Sequence, residues 1–166
     1  LIYDSFKNKK IIRSKFSKIH TIDEELPFIV LAMPQYYEQG DMDITDHWDL
    51  IESYIKAIKS LKVNLLISLH PRMNYEDYKF LEKKFGCHIV KENLGKFIGC
   101  ADIFIATNST TLYWSVLCNI PTITIYGRVD VYSHIKSIIK EFDPNKLPIL
   151  INKILKDNQG SHKEDF

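Results

Sequence analysis

Three short stretches of this sequence carry side chains able to hold an anion. "TNSTT" (107–111) sets Asn108, Ser109, Thr110 and Thr111 in a row directly after an apolar run. Where a strand turns into a helix, such side chains point outward together with the first unpaired backbone N–H groups, and the aligned peptide dipoles add about 0.3–2 kcal/mol for a negative group. Charge-assisted hydrogen bonds contribute about 1.5–3 kcal/mol each, so a phosphate suits the place without a metal. "HPRMN" (70–74) ends a second apolar run on His70, Pro71 and Arg72. An imidazole and a guanidinium there suit a second phosphate oxygen or a ribose, with Pro71 stiffening the turn. "PQYYEQGD" (34–41) offers Gln35, Tyr36, Tyr37, Glu38 and Gly40 after a third run: aromatic surface, hydrogen bonding and one carboxylate.

Each stretch also has a purely structural reading. Ser109 is a good helix N-cap, His70 and Pro71 are an ordinary way to end a strand, and 34–41 is an ordinary surface loop. Whether the three meet in space decides between the readings. Other chemistry is weaker. "DMD" (41–43) matches an Asp-x-Asp metal pattern, but its acids precede a helix start, where negative charge is favoured without any function. Cys87, His88 and Cys100 do not have zinc spacing, and no metal or other cofactor is expected. A P-loop and GxGxxG are both missing, so the glycine-dependent approach to ATP or a dinucleotide is missing too. "MPQYY" lacks the acidic pocket of a phospho-receiver domain.

The elements that must position these residues follow from periodicity. "PFIVLAM" (27–33), "VNLLISL" (63–69), "CHIV" (87–90), "DIFIA" (102–106) and "PTITIY" (121–126) read as buried strands. Between them, 46–61 places Trp48, Ile51, Tyr54, Ile55, Ile58 and Leu61 on one helical face, capped by Thr45 or Asp46. Asn74 caps a helix turning Tyr78, Leu81 and Phe85 inward. A short helix carries Leu94, Phe97 and Ile98, and Ser109 opens one burying Leu112, Val116 and Leu117. Two more follow, one with Val131, Ile135, Ile138 and Ile139, the other capped by Asn145 with Leu147, Leu150, Ile151 and Ile154. Five apolar strands alternating with helices predict an α/β fold: a doubly wound, Rossmann-like parallel sheet of order 3-2-1-4-5. In that order the ends of strands one, two and four converge on one crevice. "YGRVDVY" (126–132) would bring Gly127 and Arg128 to its rim. Residues 1–26 read as a linker or the remnant of a missing N-terminal domain, 27–157 as the domain, and 158–166 as a frayed tail.

Composition sets outer limits. A chain of 166 residues makes one core, and 22 basic against 21 acidic residues give no overall field for nucleic acid. Three Cys, an odd number set within or beside apolar runs, suit reduced thiols in a cytoplasmic protein. The apolar runs are too short for an integral membrane segment. The sequence starts at Leu1, and a piece of a longer protein is expected.

Over residues 27–157 the sequence resembles the nucleotide-binding C-terminal half of GT-B-fold enzymes. "LHPR" resembles the His-Pro motif of bacterial sialyl- and polysialyltransferase-like enzymes and the related position of UDP-N-acetylglucosamine 2-epimerases. "CADIFIATNSTTLYWSVLCNIPTITIYG" resembles their segment of alanine-aspartate strand, Ser-containing phosphate turn, helix and strand. The resemblance implies a nucleotide-sugar donor as partner and a glycan acceptor bound through a missing N-terminal domain. It implies His70 as the candidate catalytic residue, with Ser109 and Thr110 also on the phosphates. Arg72, Asn108, Thr111, Gln35, Tyr36 and Glu38 complete the candidate nucleotide contacts. Epimerases differ: they have a Ser-Gly-Gly turn, then a ribose-holding glutamate where Ser115 stands here, and a His-Arg-Arg-Glu-type first loop. Glycosyl transfer in surface polysaccharide synthesis, in the cytoplasm or at the inner face of the membrane, is therefore the leading expectation. An epimerase-like domain and a non-catalytic flavodoxin-like module are the alternatives.

Overall fold

The computed structural model describes residues 2–20, 22–107, 109–125 and 133–161. Six strands, β1 (Phe28–Ala32), β2 (Asn64–Ser68), β3 (His88–Val90), β4 (Ile103–Ala106), β5 (Thr122–Thr124) and β6 (Ile138–Lys140), form one open parallel sheet of order β3-β2-β1-β4-β5-β6. The expected five-strand order is present, with a sixth strand beyond it. That strand lies where the sequence predicts a helix. Ile138 and Ile139 are β-branched, and pairing them with Thr122 and Ile123 satisfies an edge that a helix would leave open. Val131, named with them in that expected helix, lies outside the described residues.

Because successive strand residues face opposite ways, each strand feeds two cores. Ile29, Leu31, Leu65, Ile67, Ile103, Ile105 and Ile123 meet helices α3 (Ile44–Lys59), α5 (Phe80–Phe85) and α7 (Leu147–Ser161) on one face. Phe28, Val30, Leu66, Phe104 and Ala106 meet Phe16, Phe97, Ile98 and Leu112 on the other. All twelve strand residues are at most 1% exposed. Full burial of each is worth about 1.5–3 kcal/mol for the larger side chains.

Several local expectations shift. The cap of α3 is Asp43, not Thr45 or Asp46; its carboxylate accepts the Thr45 and Asp46 N–H groups at 2.9 Å. The helix capped by Asn74 is interrupted at Lys79 into α4 (Tyr75–Tyr78) and α5, and ends on Gly86 at φ 64°. The short helix at 94–98 is two 3-10 turns, Leu94–Lys96 and Ile98–Cys100. Helix α6 (Thr111–Leu117) buries Leu112 and Ser115, but Leu117 is 80% exposed, since five residues carry it about 140° around the helix from Leu112. Ahead of α7, which begins at Leu147, the Asp143 carboxylate accepts the Asn145 N–H at 2.9 Å. Helix α7 continues to Ser161, beyond the point where the tail was expected to fray.

Residues 2–20 pack against the sheet as two helices. Helices α1 (Ile2–Lys7) and α2 (Lys9–His20) lie on the second core, where Phe16 is 2% exposed and meets the Phe97 ring edge-on at 5.4 Å. The Gly99 N–H donates to Ser5 Oγ at 3.0 Å. A Cβ on Gly99 would sit 2.2 Å from the Phe6 nitrogen, so only glycine admits this approach. Asp102 fastens the same region to the sheet. Its carboxylate accepts from Lys9 Nζ at 2.9 Å, Arg13 Nη1 at 2.8 Å and the Phe28 N–H at 2.8 Å.

Burial alone would raise the Asp102 pKa, but Lys9, the Phe28 N–H and Arg13 outweigh it and hold the carboxyl below the usual range. A carboxylate depressed in the folded state contributes stability above its unfolded value and loses it as pH falls through the folded one. Wild-type melting temperature should therefore drop as pH falls below about 4. Asp102→Asn, expected to cost roughly 3 kcal/mol at neutral pH, should show a flatter melting profile in that acid range.

Candidate functional site

The carboxyl ends of β1 and its neighbours β2 and β4 open into one cavity of about 840 Å³. Parallel α/β sheets bind ligands there, where the winding reverses. Its wall includes Gln35 and Tyr36 from the first loop, His70 and Pro71 from the second, and Ser109, Thr110 and Thr111 from the fourth. The three polar stretches thus share a single space. Arg72 and Glu38 lie outside that wall, and Asn108, Gly127 and Arg128 lie outside the described residues.

The first loop is folded by its own backbone. Asp41 and Met42 both donate to the Tyr36 carbonyl, at 2.8 and 3.2 Å, and Gly40 takes φ 74° to close the turn. Tyr36 is buried as a result, while Tyr37 is 48% exposed. In the second loop the Arg72 N–H donates to His70 Nδ1 at 3.2 Å. That bond makes Nδ1 an acceptor and leaves Nε2 to carry the proton of the neutral ring. The Arg72 side chain is exposed.

The helix start after β4 differs from the expected row of free donors. The Ser109 N–H donates to the Thr107 carbonyl at 2.7 Å, and the Leu112 and Tyr113 N–H groups to the Ser109 and Thr110 carbonyls at 3.1 Å. The Thr111 N–H donates to Ser109 Oγ at 3.3 Å. A helix of 7 residues also has few peptide dipoles to sum. What the turn offers a ligand is its hydroxyls. Ser109 Oγ and Thr111 Oγ1 are 2.8 Å apart and bonded to each other, so an incoming anion would replace that mutual bond.

Sequence reasoning missed the far end of the cavity. Lys91, Glu92, Asn93 and Leu94, directly after β3, line it together with Met73, Tyr75 and Trp114. Lys91 Nζ lies 3.9 Å from the centre of the Tyr75 ring. The polar "KEN" following "CHIV" was the available signal, since the expected strand order already put that end on the same edge. Among the described residues, no three His, Cys, Asp or Glu side chains converge as a metal site. The cysteines take no part: Cys87, Cys100 and Cys118 are free and buried, and burial pushes the Cys87 thiol up to about 11.

Glu38 has a different partner from the one its position suggested. Its carboxylate accepts the hydroxyl of Tyr78, which is 3% exposed and lies 3.4 Å from His47 Nε2. His47 is 1% exposed, and its Nδ1 has no hydrogen-bond partner. The rings of Trp48, 5.2 Å from His47 and 5.0 Å from Tyr78, complete the box. Glu38 therefore ties the cavity's first loop to α4.

Comparisons with known proteins place the architecture. No family model matches the sequence, and no curated protein matches it. Solved structures do. The Escherichia coli ADP-heptose lipopolysaccharide heptosyltransferase II aligns at TM-score 0.61 and 10% identity, over 89% of this chain and 52% of that one. The open parallel sheet resembles that of GT-B glycosyltransferase domains. The wall teichoic acid polymerase TagF, in a structure soaked with CDPG, aligns at TM-score 0.61 and 11% identity over 92% and 38%. E. coli heptosyltransferase WaaC with ADP-2-deoxy-2-fluoro heptose aligns at 0.53 and 14%, over 88% and 47%. The chain thus spans between 38% and 52% of the length of these three proteins. Ser115 is wholly buried, bonded to the Leu112 carbonyl and the Thr122 hydroxyl.

Burial lowers the His47 pKa, and the Glu38 carboxylate opposes this only in part. A histidine that resists protonation when folded costs stability as pH falls below its unfolded value of about 6.5. In an NMR titration the ring protons of His47 should keep their neutral-form shifts to below pH 6.5.

Proposed function

We propose that this chain is the donor-binding domain of a glycosyltransferase, holding the phosphates of a nucleotide-activated sugar in the cavity at the ends of β1, β2 and β4. One observation carries the reading: Gln35, Tyr36, His70, Ser109 and Thr111, chosen for chemistry that suits a phosphate, line one concavity at the switch point of the sheet. The GT-B fold supports it, as do two similar structures whose donors or soaked ligands are nucleotide-linked by name, ADP-heptose and CDPG. Ser115, where the resemblance would set the epimerases' glutamate, carries no carboxylate to hold a ribose, which favours transfer over epimerisation.

In glycosyl transfer, negative charge grows on the phosphate oxygen as the sugar–oxygen bond breaks, and donors fixed beforehand lower the barrier. The hydroxyls of Ser109 and Thr111 would exchange their mutual bond for bonds to that oxygen, Thr110 would add a third, and His70 would donate from Nε2. Lys91 supplies positive charge at the far end, a part the sequence had suggested for Arg72. In this reading the leaving group is stabilised by these donors and needs no resident metal. The acceptor and general base would come from another domain, and the complete enzyme would make surface polysaccharide on the cytoplasmic side.

Calorimetric titration of the chain with ADP, CDP, UDP and CMP tests the proposal. Binding with a base preference, at micromolar to millimolar affinity because half the cleft is elsewhere, is expected, without turnover of a nucleotide sugar. Ser109→Ala and His70→Ala should each weaken it about tenfold, the loss of one charge-assisted hydrogen bond. No binding of any of the four at millimolar concentration would leave a non-catalytic module.

A further inference from the structure

Helices α1 and α2 bury one side, and among the described residues the other side is mostly exposed. The buried side holds Phe16 in the core and commits Lys9 and Arg13 to Asp102. The outer side repeats at four-residue intervals: Tyr3, Lys7, Ile11, Lys15 and Ile19, with Lys10 and Lys18 beside them. Four-residue steps keep positions on one flank of a helix, and the exposures agree. Tyr3 is 64% exposed, Ile11 69% and Ile19 56%. The Asn8 and Ile12 N–H groups donate four residues back, to Asp4 and Asn8 at 3.0 Å, and carry the helical course across the break between α1 and α2.

Charge on this flank is one-sided. From Lys7 to His20 there are five lysines and one arginine and no acid, in a chain that is otherwise nearly balanced. Lys9 and Arg13 share the Asp102 carboxylate, and Lys15 reaches Glu92 only at 3.5 Å. Asp4 is the acid on the flank itself. Lys7, Lys10 and Lys18 remain exposed around the two isoleucines, and Lys7 Nζ lies 4.5 Å from the centre of the Tyr3 ring.

We propose that this outer flank of α1 and α2 docks the domain on a membrane surface rich in anionic phospholipid. Isoleucine and tyrosine side chains enter the headgroup boundary while the lysines meet lipid phosphates, the division of labour of an interfacial amphipathic helix. Each lysine near such a surface strengthens binding about fivefold. Nucleic acid is the poorer match: the arginine of the segment is already committed, and of the three exposed apolar tips only Tyr3 offers a base a face to stack on. The flank lies on helices separate from every residue of the cavity wall, so the proposal stands or falls independently of nucleotide binding.

Co-sedimentation of the 166-residue chain with phosphatidylglycerol-containing vesicles, and with pure phosphatidylcholine vesicles, tests it. Binding to the anionic vesicles that weakens with added salt is expected, with little to the neutral ones. Lys10→Glu/Lys18→Glu and Ile11→Ser/Ile19→Ser should each lose at least tenfold in affinity with unchanged melting temperature, as expected of exposed residues. Absent binding to anionic vesicles, or unchanged binding by both variants, overturns the proposal. So does an RNA oligonucleotide or an acidic polypeptide that binds the chain while vesicles do not.

Discussion

The structure depends on how β1 and β4 are joined. Asp102 donates its own N–H to the Phe28 carbonyl at 2.8 Å, and its carboxylate takes the Phe28 N–H at 2.8 Å. These two bonds pin the register of the strands that flank the switch point, Ile29 opposite Ile103 and Leu31 opposite Ile105. A slip of one residue would turn every side chain of β4 to the wrong core. The same carboxylate holds Lys9 and Arg13, so one acid sets the sheet register and seats the N-terminal helices beneath it.

Because β1 pairs with β4 on one edge and β2 on the other, their carboxyl ends finish side by side, and the loops they feed share a cavity. The loops are then held by bonds of their own. Gly40 and the doubly used Tyr36 carbonyl shape the first, the His70 imidazole accepts a backbone N–H in the second, and paired hydroxyls close the third. Tyr78 links the first loop to α4 through Glu38. Anion-binding side chains on loops so restrained lose little freedom on meeting a ligand, which favours binding.

The low identity of the similar structures fits this division. Identities of 10 to 14% accompany alignment over about nine-tenths of the chain. A doubly wound sheet asks of its strands only branched apolar residues buried on both faces, a condition many sequences meet. The loops at the carboxyl ends are free to differ, and in this chain they set Lys91 against the Tyr75 ring.

The sequence by itself determined the strands, their order and the edge at which polar loops gather, because apolar periodicity and the handedness of crossovers are local or topological rules that need no distances. It did not determine β6, whose Ile138 and Ile139 suit a helix face as well as an edge strand until Thr122 and Ile123 are there to pair with. Nor did it place α1 and α2, since only the folded chain brings Asp102 to Lys9 and Gly99 to the Phe6 backbone. Site membership divided in the same way. His70, Ser109, Tyr36 and even Lys91 follow from strand ends, but Glu38 turning to Tyr78 depends on a hydroxyl lying within hydrogen-bonding reach 40 residues away in sequence, and only tertiary packing sets that.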